Sequence, residues 1–242
     1  MQASDDTTIH RMLTRRGLLA GAAALAARPV AAQQAAAAVD VALVLAVDVS
    51  GSVTEEEAVL QRDGYRGAIT DPAVLSAIAG GVLGAIAVVY VEWARYQYQD
   101  VIIPWTRIAG PADAQAWAQL LHDSPWQSQY GTSLSGALSF AGKMLASCPF
   151  EGTRRVVDVS GDGSNNNGPP AEPERDRLVA DGVTINGLPI INRHPRFGRL
   201  ELDVDKYYRD SVIGGTGAFL IVAEDFADFA EAIKRKLVQE IA

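Results

Sequence analysis

Five oxygen-bearing side chains in three short segments are the part of this sequence with a chemistry of its own. Asp48-Val49-Ser50-Gly51-Ser52 brings a carboxylate and then two hydroxyls at alternate positions, so an extended turn points Ser50 and Ser52 the same way. Tyr130-Gly131-Thr132-Ser133-Leu134 adds a third hydroxyl, and Ser160-Gly161-Asp162-Gly163 a second carboxylate between two glycines. Hard divalent cations take oxygen ligands, Mg²⁺ in an octahedron at about 2.0–2.1 Å, and one carboxylate with two hydroxyls is half of such a shell. Each segment also has an ordinary use. Thr132 suits the cap of a helix and Asp162 suits a turn. The combination carries more weight than any one of them.

These segments can meet only if the fold brings them to one end. The apolar, β-branched run at 39–47 (VDVALVLAV) reads as a strand buried on both faces, and 84–93 (GAIAVVYVEW) as a second. A short strand at 100–105 contains Pro104, which places it at a sheet edge. Further strands are expected at 154–160, 183–191 and 217–223. Helical patterns fall at 54–71, with a short continuation past Pro72 to Ile78, and at 113–122, 132–145, 172–181 and 225–241. The last presents Phe226, Phe229, Ile233, Leu237 and Ile241 on one side. Alternating strands and helices predict an α/β fold, a doubly wound, mostly parallel sheet with helices on both faces and one short antiparallel edge strand. Ligands in such folds bind beyond the carboxyl ends of the strands. Asp48 and Asp162 each follow a strand, and Thr132 opens a helix.

In this order and at these places, the three motifs resemble the metal-ion-dependent adhesion site (MIDAS) of the von Willebrand factor type A (vWA) domain. The resemblance extends over about residues 39–242. It implies a vWA/Rossmann-like fold in which Asp48, Ser50, Ser52, Thr132 and Asp162 hold one divalent cation, Mg²⁺ first and Mn²⁺ or Ca²⁺ as alternatives. It also implies an open coordination position that a protein partner fills with a carboxylate. The chain departs from the family at Gly161, where a threonine usually precedes the aspartate. That change is expected to keep the ligand and loosen the loop. The segments at 160–168 (SGDGSNNNG) and 213–219 (IGGTGAF) are similar to those of small exported bacterial proteins of this type whose function is unassigned. Asn165, Asn166 and Asn167 have two readings: the rim that meets the partner, or a solvated turn.

The N-terminal residues read as an address. Thr14-Arg15-Arg16-Gly17-Leu18-Leu19 precedes a mildly apolar run at 17–27, whose 11 residues fall short of the ~20 that a stable membrane span needs. Val30-Ala31-Ala32 offers small residues for cleavage. The pattern resembles a twin-arginine (Tat) signal peptide over residues 1–32, followed by a short disordered segment at 33–38, and predicts a periplasmic or otherwise exported protein. Removing 1–32 takes away Arg11, Arg15, Arg16 and Arg28 with Asp5 and Asp6, leaving 17 basic and 27 acidic residues, a net charge of −10. Such a surface disfavours nucleic acid and anionic lipid but not a divalent cation. Cys148 is the single cysteine, so no intrachain disulfide forms, and it reads as a small buried hydrophobe.

Enzyme chemistry has little to stand on. The histidines are His10, His122 and His194, and the chain has no His-Glu-x-x-His, Cys-x-x-Cys or Gly-x-Ser-x-Gly. Gly80-Gly81-Val82-Leu83-Gly84 precedes a strand instead of following one, so it is a turn and not a phosphate cradle. The expected function is non-enzymatic, metal-dependent protein binding. A Mg²⁺-dependent phosphoester hydrolase and a scaffold with a purely structural metal are the alternatives.

Overall fold

The computed structural model describes residues 37–192 and 203–242; the expected signal peptide, residues 33–36 and His194 lie outside them. The first strand, β1 (Ala38–Asp48), already includes the final residue of the segment expected to be disordered. It is followed by α1 (Glu55–Thr70), α2 (Pro72–Gly80), β2 (Ile86–Trp93), β3 (Gln99–Ile108), α3 (Pro111–Asp123) and α4 (Leu134–Ala146). Then come β4 (Glu151–Gly161), α5 (Glu172–Ala180), β5 (Thr184–Pro189), α6 (Val204–Tyr207), a π-helical turn at Tyr208–Val212, and α7 (Phe229–Ile241).

The sheet order is β3-β2-β1-β4-β5, with every pair parallel except β2–β3. β3 is longer than its sequence suggests, and it tolerates Pro104 because its outer side has no strand to receive a donor. From Val41 onward β1 is buried on both faces, which is why its apolar run does not alternate. One face packs under α1, α2, α3 and α7, where Tyr65, Tyr90, Trp117 and Phe229 meet edge to face at centroid separations of 5.3–5.9 Å. The other face packs under α4 and α5 through Val157, Val159, Leu134, Leu138 and Leu178.

Two elements differ from expectation. The segment expected as a last strand at 217–223 is not a continuous ladder; it meets β5 at Gly187–Leu220 and the residue just past β5 at Ile190–Ala223, two separate bridges. Pro189 lies between those bridges and has no N–H to donate, so the ladder breaks there. The closing helix starts at Phe229, after a turn in which the Asp228 N–H donates to Asp225 (2.8 Å). Pattern reading found neither α6 nor the π turn that follows it.

Candidate metal centre

Asp48 is the last residue of β1 and is fully buried. Its Oδ1 accepts the Ser50 N–H at 2.7 Å, which bends the chain back so that the two serine hydroxyls lie 3.1 Å apart. The loop then enters α1 through a capping box in which Thr54 and Glu57 satisfy each other's backbone N–H groups. Ser52 donates to Asp162 Oδ1 at 2.7 Å, across from the end of β4. Asp48, Ser50, Ser52 and Asp162 are thus brought together by the adjacency of β1 and β4.

Thr132 approaches from the loop before α4. Ser133, not Thr132, caps that helix, accepting the Gly136 N–H at 3.2 Å. The Thr132 hydroxyl therefore has no capping duty, and its Oγ1 lies 3.9 Å from where a side chain on Gly163 would begin. The loop is pinned to its neighbours, with Gln129 N–H donating to Val49 O (3.2 Å) and Ser133 N–H to Ala94 O (2.8 Å).

The asparagine run holds this arrangement. Asn166 accepts the Thr132 N–H on its side-chain oxygen (2.9 Å) and returns its own N–H to Thr132 O (2.9 Å). Asn165 accepts the Ser135 N–H (3.1 Å), and Asn167 accepts the Tyr96 N–H (2.8 Å). All three side-chain oxygens are turned into the protein, while the residues Asn166 and Asn167 remain exposed.

Two contributors escaped the sequence reading. Asn192, buried just past β5, donates to Asp162 Oδ2 at 2.7 Å. Its only signal is its place after an apolar run at the carboxyl end of a strand. Tyr208, fully buried in the π turn, brings its hydroxyl to the far side of Asp48; nothing local in the sequence marks it. Gly161 does not loosen the loop. It is buried as the last residue of β4, and a β-carbon there would lie 2.8 Å from both Asp48 Oδ2 and the Tyr208 hydroxyl.

Burial pushes the Asp48 carboxyl well above the usual carboxylate range, and the neighbouring Asp162 pushes it further. Burial, then the nearby Asp48 and Asp162, raise the Tyr208 phenol far above its ordinary value and keep it a proton donor. Two carboxylates held together out of water call for a cation. Among the described residues Asp48 Oδ2 is buried without a hydrogen-bond partner. Carboxylates and hydroxyls make a hard, all-oxygen donor set. No group of three or more His, Cys, Asp or Glu that could hold a metal occurs among the described residues, so a nitrogen–sulfur centre is not on offer there. The residues present fit a hard divalent cation.

Residues 38–242 match the sequence family described as "Protein of unknown function (DUF1194)". The chain belongs to the DUF1194 family. No curated protein matches it. The fold of this DUF1194 chain is that of vWA domains. It is similar to proximal thread matrix protein 1 from the mussel byssus, solved with a zinc-occupied MIDAS motif: TM-score 0.61, 15% identity, covering 84% of this chain and 48% of that one. It is similar to the pilus adhesin SpaC from Lactobacillus rhamnosus GG: TM-score 0.60, 16% identity, covering 86% and 31%. It is also similar to the vWF domain of the type V pili tip protein Mfa5 from Porphyromonas gingivalis: TM-score 0.57, 11% identity, covering 85% and 96%. The DUF1194 chain spans 48% of the mussel protein and 31% of SpaC, and at these identities the likeness is one of fold.

Proposed function

We propose that this DUF1194 domain is an exported binding module. In this reading Asp48, Ser50, Ser52, Thr132 and Asp162 hold one divalent cation, Mg²⁺ in the first place. The observation that carries it is the Asp48–Ser50–Ser52–Asp162 cluster at the carboxyl end of the sheet, with Asp48 Oδ2 buried and unpartnered. Bound there, the cation supplies a Lewis-acidic position for an anionic oxygen, the carboxylate of a protein partner.

The chain's own residues do the rest. Asn192 orients Asp162, the Ser50 N–H orients Asp48, and Asn166 fixes the Thr132 loop, so the donors are set before the cation arrives. Asp48 and Asp162 bring two formal negative charges, which balance a divalent ion, and the three hydroxyls add none, so the ion keeps Lewis acidity for one further oxygen. The zinc-occupied MIDAS of the mussel protein and the adhesin identity of SpaC support the binding reading. Export rests on Arg15-Arg16 before the apolar run. No helix among the described residues is long and apolar enough to cross a membrane. Asn165, Asn166 and Asn167 would border the partner with their exposed parts.

The test is capture from the exported fraction with Mg²⁺ and with chelator, followed by calorimetry of the captured protein. Binding confined to the Mg²⁺ arm, and lost on Asp162→Ala, supports the reading. Equal affinity in both arms leaves the metal a structural role, and turnover of a generic phosphoester would point to the hydrolase.

A further inference from the structure

Tyr208 comes from a segment outside the three metal loops, yet it is delivered to the metal centre by a trough built for it. The trough is made of two glycines on neighbouring strands, Gly187 on β5 and Gly161 at the end of β4. A β-carbon on Gly187 would lie 2.9 Å from Tyr208 Cδ1, and one on Gly161 would lie 2.8 Å from the Tyr208 hydroxyl. Any side chain at either position would push the ring out. The ring thus runs along the sheet surface from Gly187 to Gly161, with its hydroxyl at the Asp48 end.

The same point beside Gly161 is 2.8 Å from Asp48 Oδ2. A buried phenol therefore borders the same point beside Gly161 as a buried carboxylate oxygen. Among the described residues neither atom has a hydrogen-bond partner. Leaving both unmatched would cost about 1–3 kcal/mol for each group. A carboxylate oxygen has lone pairs enough to accept a hydrogen bond and face a cation together.

We propose that Tyr208 is a further positioning residue of the metal centre: a small movement brings its hydroxyl onto Asp48 Oδ2, the unmatched acceptor it faces, and that bond fixes the carboxylate that begins the Asp-x-Ser-x-Ser motif. Gly161, the position where the chain departs from the vWA pattern, is a glycine because this phenol takes the space of a side chain there. The metal half of the proposal rests on the binding reading above; the Tyr208–Asp48 contact does not.

The experiment therefore has two arms. In chelator, the stabilities of wild type, Tyr208→Phe, Asp48→Ala and the double variant form a thermodynamic cycle. Tyr208→Phe should lower the melting temperature of the wild type and leave that of Asp48→Ala unchanged or raise it, because there the buried phenol has already lost its acceptor. Equal drops in both backgrounds would overturn the contact. In the second arm, Mg²⁺ titration by calorimetry should show Tyr208→Phe binding about 10- to 100-fold more weakly, the usual cost of losing an outer-shell partner. Affinity within twofold of wild type would overturn the positioning role. If wild type itself takes up no Mg²⁺, the metal reading fails and the positioning role with it, while the cycle in chelator still decides the contact.

Discussion

Lys236 Nζ lies 2.7 Å from Asp158 Oδ1, and neither side chain has any exposed surface. Glu240, one turn along α7, also pairs with Lys236, and its Oε1 accepts from Asn186 on β5 at 3.0 Å. Strand alternation explains how β4 serves two sites. Val157, Val159 and Gly161 face α4, α5 and Tyr208, while Asp158 and Ser160 face α1 and α7, where Ser160 meets the Tyr65 hydroxyl at 3.2 Å. The closing helix is thereby tied by charge to the strand that leads into Asp162.

Removing the single cation of this cluster should be severe. Lys236→Met leaves two buried carboxylates uncompensated and should cost about 3–5 kcal/mol, measured by urea unfolding. Replacing all three members, as Asp158→Val, Lys236→Met and Glu240→Leu, should recover most of that loss. A single variant as stable as wild type would show that the cluster is not sealed from water.

The cluster also sets a pH dependence. Burial lifts the Glu240 carboxyl from 4.5 to about 7, with Asp158 adding to the lift and Lys236 opposing it. A carboxyl raised on folding holds its proton more tightly in the native state, so this contribution is complete below about pH 4.5 and is lost as pH rises through about 7. Asp158 is raised too, and so is Glu92, to about 7 by burial against its pairing with Arg62; both have the same sign. Stability in chelator should fall between pH 5 and pH 8, and Glu240→Gln should flatten part of the slope. An unchanged slope in that variant would assign the titration to the other raised carboxyls, Asp48, Asp158 and Glu92.

Cation binding should appear as stabilisation. A ligand that binds only the native state adds about 2.7 kcal/mol at 100 times its dissociation constant. Wild type should melt higher in Mg²⁺ or Mn²⁺ than in chelator. Asp48→Ala should lose that shift while remaining folded, because it also removes the repulsion from Asp162. Coincident wild-type melts in millimolar Mg²⁺ and in chelator would remove the basis for the site.

Asn166→Ala deletes the acceptor for the Thr132 N–H but leaves Thr132 itself in place. The expected cost is about 1 kcal/mol of stability, with faster amide exchange confined to the loop before α4 and weaker Mg²⁺ binding. Unaltered exchange there would return the asparagine run to the status of a solvated turn.

Gly161→Ala puts a methyl 2.8 Å from both Asp48 Oδ2 and the Tyr208 hydroxyl. Overpacking of this kind should cost about 1–3 kcal/mol by chemical denaturation. The cost should shrink in the Tyr208→Phe background, which removes one of the two clashing atoms; a cost that is the same in both would mean the ring is displaced freely.

The sequence by itself determined the layered α/β fold and the three loops of the candidate metal centre, because both are written in local signals. Buried parallel strands need continuous β-branched runs such as the one at 39–47, and Asp-x-Ser-x-Ser fixes its own geometry through the Ser50 N–H bond to Asp48. Only the tertiary structure decided what surrounds those loops. Asn192 reaches Asp162 across 30 residues, and Tyr208 is laid toward Asp48 over a trough whose two glycines sit on different strands. Lys236 finds Asp158 through the packing of α7, a pairing that no local pattern in the sequence marks. The 217–223 segment, strand-like in composition, is interrupted because its neighbour carries Pro189, and Thr132 is spared from capping because Ser133 does it. In each case the deciding partner is distant in the chain or depends on which of two neighbours takes a bond, and neither is encoded in periodicity or spacing.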